Sequence, residues 1–240
     1  MRLNMLKLKL AGTANCALLA LSCPAFAGSL QVSPILIEIG QGITTTTENL
    51  ENKGTTVITA QVRVFKWTQV DGKDNLTPTT DVIASPPALK IQPGAKATVR
   101  IVRLTKEPLK GEEAYRLIVD DIPPPPDKPG DSVTFAVRHA IPVFFQAPGI
   151  KTMLGWSATM KGDQLEVTAK NAGDLHSRLA QMTVKQGSTL VGALNGLAGY
   201  ALGHDATHWL FKTKGISPGT SLELKATSND GPISTNITVN

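Results

Sequence analysis

The stretch "SVTFAVRHAIPVFFQ", Ser132 to Gln146, decides the fold. Val133, Phe135 and Val137 fall on one face at period two, and Ile141, Val143 and Phe145 repeat the spacing. Strict alternation of this kind reads as a β-strand. Phe144 places a further aromatic on the opposite face, so the far end of the strand asks for cover on both sides. An ordinary antiparallel strand turns one face to water. The near end, from Val133 to Val137, is bulky on one face only. Left open at a sheet edge, such a face invites aggregation, and natural proteins avoid it unless they use it.

Working outward, the chain after residue 27 reads as strands. "VSPILIEI", Val32 to Ile39, is apolar and β-branched, and is expected to form one strand. "TTVITAQVRVFKW", Thr55 to Trp67, alternates, and "DGKDN", Asp71 to Asn75, follows as a turn. "KATVRIVRL" (Lys96 to Leu104) and "AYRLIVDDI" (Ala114 to Ile122) are two more strands. Prolines punctuate the gaps, most densely at Pro123 to Pro126, and Lys106 to Glu113 reads as a charged solvent-facing connection. Beyond "QAPGIK", Gln146 to Lys151, shorter and more polar strands are expected over 165–169, 180–185, 207–212, 221–226 and 233–239. Many short strands separated by turn signals argue for an all-β chain of two sandwiches. The division expected is 28–147 and 148–240, with 1–27 as a signal peptide.

The amino-terminal segment carries Arg2, Lys7 and Lys9, then an apolar run from Leu10 to Leu21, then Ala25-Phe26-Ala27. That is the pattern of a cleavable secretory signal, with cleavage expected after Ala27. Its apolar run is too short for a permanent membrane span. Ala20 before Cys23, and Pro24 after it, argue against lipidation. Both cysteines, Cys16 and Cys23, lie in this segment, so the exported chain holds itself together without disulfides. Three of the formal +5 charges also leave with it. The remaining excess of about +2 is too small to argue for nucleic acid.

Convergent reactive groups are scarce. "HDATH" places His204 and His208 at i, i+4, but Asp205 replaces the glutamate of a zinc-protease helix and Trp209 to Phe211 look like a strand. These are read as loop and strand-edge histidines. Asp120 and Asp121 are adjacent on a strand and therefore point to opposite faces. There is no G-x-S-x-G elbow, and with no cysteine after residue 27 the exported chain has no thiol chemistry. No enzyme activity, metal or other cofactor is expected.

Three segments together resemble the periplasmic chaperones of fimbrial chaperone–usher systems, the PapD-like family. They are "SPPALKIQPGAKATVRI" (Ser85 to Ile101), "EEAYRLIVDDIPPPP" (Glu112 to Pro126) and "VTFAVRHAIPVFF" (Val133 to Phe145). "QVRVFKWTQVDGKDNLTPTTDVIASPP", Gln61 to Pro87, looks most like the archaic branch. The resemblance covers residues 29–147 well, and the rest in size and strand character. It implies two immunoglobulin-like β-sandwiches in a boomerang arrangement, in the periplasm. It also implies that Val133, Phe135 and Val137 belong to the edge strand lent to a fimbrial subunit whose own sandwich lacks a strand, a form of β-strand addition. The implied partners are that pilus subunit and an outer-membrane usher. The bulk of the strand alone suggests self-association as a way to shield it when unloaded, and no segment after residue 27 is expected to insert into a membrane.

The chain departs from the family pattern at one point. Leu36 and Pro142 stand at or near the positions where an Arg and a Lys usually anchor the subunit's terminal carboxylate. Arg116 is the first candidate to replace them, because its strand should neighbour the donor strand, with Arg103 and Arg138 second. Arg100 and Asp121 are read as a structural ion pair. The rival reading is a pilus subunit or adhesin. Such a protein should carry an extension ahead of its sandwich, whereas strand character here starts at Leu30.

Overall fold

The structure, a computed structural model, describes residues 30–122 and 136–240. Those residues form strands and turns without a helix. The first half contributes β1 (Leu30–Ser33), β2 (Ile37–Gly40), β3 (Thr45–Asn52), β4 (Ile58–Val70), β5 (Lys73–Pro78), β6 (Val82–Ser85), β7 (Ala88–Ile91), β8 (Lys96–Arg103), β9 (Glu112–Ile122) and β10 (Arg138–Gln146). One sheet runs β1-β3-β8-β6. The facing sheet runs β2-β10-β9-β4-β5, with β7 also paired to β4. The second half contributes β11 (Leu154–Lys161), β12 (Gln164–Asn171), β13 (Ser177–Gln186), β14 (Thr189–Ala201), β15 (Ala206–Lys212), β16 (Ser221–Ser228) and β17 (Gly231–Thr238). Its sheets run β11-β12-β15 and β14-β13-β16-β17. The chain is two immunoglobulin-like sandwiches in series.

Each sandwich has its own apolar core. The first joins Leu50, Ile101, Leu117, Val119, Val143 and Phe145, all sealed from solvent, with Tyr115 packed edge-on to Phe145. The second joins Leu165, Val167, Met182, Val184, Leu222 and Leu224. Each such side chain stabilises the fold by roughly 1.5–3 kcal/mol. With no cysteine outside the first 27 residues, these cores carry the burden.

The run expected as one strand from Val32 to Ile39 is two. Pro34 lacks the N–H that would continue the ladder, so β1 ends at Ser33 and the chain crosses to the other sheet before β2 begins. Strands β3, β5, β6, β7, β11 and β14 were not expected. β14 includes Gly192, Gly196 and Gly199, which mask its strand character. It forms because β13 pairs with it along almost its whole length, through three register shifts. The expected turn after Trp67 is shorter and tighter. Asp71 and Gly72 alone join β4 to β5, both with positive φ (50° and 71°), the geometry of a two-residue hairpin.

One buried carboxyl lies in the first core without a partner. Glu48 on β3 points inward with no solvent exposure, and neither carboxyl oxygen has a hydrogen-bond partner among the described residues. Burial pushes its pKa up to about 8, with the Ser33 backbone opposing part of the shift. A carboxyl raised in the folded state favours folding when protonated. That contribution is full below the ordinary value of 4.5, is lost as pH climbs, and is gone above about 8. Glu48→Gln should therefore match the wild type near pH 5 and exceed it near pH 8.5 by about 3–5 kcal/mol. Urea unfolding at the two pH values measures this.

Candidate functional site

Strand β10 organises the site. On one side it pairs with β9 over its full length, from Arg138↔Asp120 to Gln146↔Glu112. On the other side β2 pairs with it in parallel, but only from Val143↔Ile37 to Gln146↔Gly40. Among the described residues, Arg138 to Pro142 therefore have a ladder on one side and an open edge on the other. Pro142, which can donate no hydrogen bond, stands where the open edge meets β2, a position a strand proline tolerates. The chain rising to β2 brings Ile35 to the same place, 77% exposed.

The two faces of β10 meet different neighbours. Ile141, Val143 and Phe145 point into the first sandwich's core. Phe144 points the other way and is equally sealed, because the second sandwich covers it. The His176 ring stacks on it at 3.7 Å and 10°, and Trp67 and Tyr200 complete an aromatic cluster around it. Glu112 clamps the same contact. Its carboxylate accepts the His176 backbone N–H at 3.0 Å, lies 2.8 Å from His176 Nδ1, and accepts the Gln146 amide at 3.0 Å. Opposite, the β4–β5 hairpin leans on β15. A Cβ at Gly72 would fall 1.9 Å from His208 Nδ1. The need for cover on both sides is met by the second domain.

Val137 is half-buried on the inward-facing side, and its carbonyl accepts the Asp121 N–H at 3.0 Å, continuing the β9–β10 ladder by one residue. Val133 and Phe135 lie outside the described residues. His139, two residues on, is also half-buried and has an Nε2 without a partner among the described residues.

The three candidate arginines have different surroundings. Arg103 is buried and its donors are spent. It makes a forked pair with the Glu113 carboxylate at 2.8 and 2.7 Å and donates to the carbonyls of Thr105 and Glu107. This pairing holds Glu113 below the usual carboxylate range. Glu112 and Glu113 thus open β9 as gripped residues, rather than ending the solvent-facing connection expected over 106–113. Arg138 is exposed and makes a forked contact with Asp120 at 2.6 and 3.2 Å. Arg63 holds the same carboxylate from β4. The two bases lower the Asp120 pKa, Arg138 contributing most. Asp120, not Asp121, is the paired acid. Arg100 lies on β8 in the other sheet, and no ion pair joins it to Asp121 among the described residues.

Arg116 stands apart. It sits on the outer face of β9, between Phe65 on β4 and Pro142 on β10, beside the open edge. Its guanidinium lies 3.6 Å from the centre of the Trp67 ring and 5.4 Å from that of Tyr200. Its polar contacts are long: 3.4 Å to the Ala140 carbonyl and 3.5 Å to Asp74 Oδ2. A guanidinium has five donors, so most of its capacity is unspent. Burial lowers its pKa, and Asp74 restores only part. The sequence did not mark Trp67, Gln69 or Tyr200 as site residues. The readable signal was Trp67 ending the alternation of β4.

Among the described residues no three His, Cys, Asp or Glu side chains gather as metal ligands. His204 takes a positive φ of 63° in a turn and contacts Asp174, while His208 is on β15.

Residues 29–151 match the family described as pili and flagellar-assembly chaperone, PapD N-terminal domain. The uncharacterised fimbrial chaperone YhcA of Escherichia coli K12 is 28% identical over 132 residues, 52% of this chain. The chain spans 56% of that relative's length. The CsuC–CsuE chaperone–tip adhesion subunit pre-assembly complex, from archaic chaperone–usher Csu pili of Acinetobacter baumannii, matches with a TM-score of 0.70 and 28% identity. The match covers 89% of this chain and all of that one. The Salmonella enterica SafA pilin–SafB chaperone complex shares the fold at a TM-score of 0.56 and 18% identity, over 88% of this chain and 95% of the other.

The contrast between arginines is measurable. Arg103→Ala should cost about 3 kcal/mol, because it strands Glu113 and two carbonyls. Arg138→Ala should leave the unfolding midpoint unchanged, since that pair is solvated. Denaturant melts of both variants decide it.

Proposed function

Because the chain belongs to the pili and flagellar-assembly chaperone family, we propose that it is a periplasmic chaperone that captures pilus subunits by lending them a strand. The open edge of β10 carries this reading. A subunit lacking a strand exposes a core groove and unpaired backbone groups. The edge from Arg138 to Pro142 answers the backbone, at roughly 0.5–1.5 kcal/mol net per hydrogen bond. Val137, with Val133 and Phe135 before it, supplies alternate side chains for successive pockets, each worth roughly 1.5–3 kcal/mol when buried. The ladder is indifferent to sequence, so one chaperone serves several subunits.

A strand laid on that edge ends where β2 begins, beside Leu36 and Pro142. Arg116 is the base that faces this end with donors to spare. Arg103 and Arg138 are already engaged by Glu113 and Asp120. Arg116 therefore takes the subunit's terminal carboxylate, in place of the charged pair that Leu36 and Pro142 do not provide. Residues 1–27 direct export and are removed after Ala27. The remaining chain divides at about residue 147 into the subunit-binding domain and the domain that covers Phe144. The loaded complex passes its subunit to an outer-membrane usher, without nucleotide or metal.

Co-expression with a pilus subunit tests this. Phe135→Asp should abolish subunit recovery while circular dichroism shows a folded chaperone. Unchanged recovery would overturn the assignment. Arg116→Ala should lower recovery by roughly tenfold, the worth of a charge-assisted hydrogen bond.

A further inference from the structure

Arg116 is reached from the second domain by two routes. The first runs through Gln69, a buried side chain on β4. Its Oε1 accepts the Leu202 backbone N–H at 3.0 Å, and its Nε2 donates to the Tyr200 carbonyl at 2.8 Å. The amide therefore pairs with the second domain much as a strand backbone would. The same Nε2 donates to Asp74 Oδ1 at 3.0 Å, and Asp74 Oδ2 faces Arg116 Nη2. The second route is aromatic. Tyr200 meets Trp67 edge to face at 5.3 Å and 77°, and Arg116 lies over Trp67. Trp67 is 1% exposed, and its indole N–H has no acceptor among the described residues.

We infer that Gln69 and Tyr200 are positioning residues that aim Arg116, so that capture of the subunit's terminal carboxylate requires the two domains to be docked. This rests on the reading of Arg116 as the carboxylate anchor. A long guanidinium side chain free to rotate loses entropy on binding an anion. Held over an indole, with one nitrogen turned to Asp74, it keeps its other donors for a ligand. The Trp67 plate and the Asp74 rest both keep their places through contacts from β14 and Leu202. Undocking would leave Arg116 in place on β9 but unaimed. The second domain, which lends no strand, thus takes part in recognition.

The test compares a pilus subunit ending in its native carboxylate with the same subunit extended by Gly-Ser, each co-expressed with the full-length chaperone. Wild type should recover the native form roughly tenfold better than the extended one. Gln69→Leu and Tyr200→Leu should bring that ratio near one while recovery of the extended form stays at the wild-type level. Tyr200→Phe, which keeps the ring, should retain the ratio. A general loss of stability would lower both recoveries and leave the ratio intact. Should Gln69→Leu fail to fold, Asp74→Asn, a change at a half-exposed side chain, breaks the same route. A wild-type ratio in Gln69→Leu, Asp74→Asn and Tyr200→Leu, with Arg116→Ala at one, overturns this inference and leaves the anchor standing. A wild-type ratio in Arg116→Ala overturns the anchor as well.

Discussion

The structure depends on the burial of Phe144 between the domains. A strand in a sandwich normally turns one face to water. β10 cannot do so over its second half, because Phe144 projects from the outer face of its sheet. The second domain meets it with His176, Tyr200 and Leu202, and Glu112 and Gln146 tie the polar rim around the contact. This fixes which end of β10 is shut. The opposite end, from Arg138 to Pro142, has an open edge among the described residues, the part that the proposed reading offers to another chain.

Charge follows the same division. Arg103 is deep enough that an unpaired guanidinium would be costly, and Glu113 with two carbonyls satisfies it. Arg138 is solvated, so Asp120 holds it weakly whatever the short distances suggest. Arg116 is between these limits. Its side chain is largely withdrawn from water, which lowers its pKa, yet its partners are distant. The Trp67 face offsets part of the desolvation by cation–π attraction. A charge stabilised by a ring rather than by a carboxylate keeps its hydrogen bonds available for a ligand.

How much of this was legible follows from what sequence patterns encode. Period-two alternation in 58–67, 96–103 and 138–146 reports strands buried on one face, while the β9–β10 pairing that places Arg116 beside the edge was expected from the family resemblance. The double burial at Phe144 was visible as an anomaly, but not its cause, since the covering residues lie more than thirty positions away. β14 was invisible because its glycines carry no pattern of their own and its partner β13 supplies the order. Gln69 could not be seen at all. An amide reads as surface until the backbone it pairs with is brought to it. The break at Pro34 was written plainly in the sequence and lost to the apolar residues on either side.

An open strand edge has to be selective as well as available. A long, flat, apolar edge would pair with any exposed strand. The one on β10 spans five residues among those described, with Arg138 at one end and Pro142 at the other. Asp120, Arg63 and Arg138 crowd the outer face beside its start. Such an edge gains too little from backbone pairing alone to hold a casual partner. On the proposed reading, a client must add side-chain pockets that match the alternating residues, and an end group that suits Arg116. Affinity is thereby divided among terms that are individually weak, so a partner that meets only one of them is released.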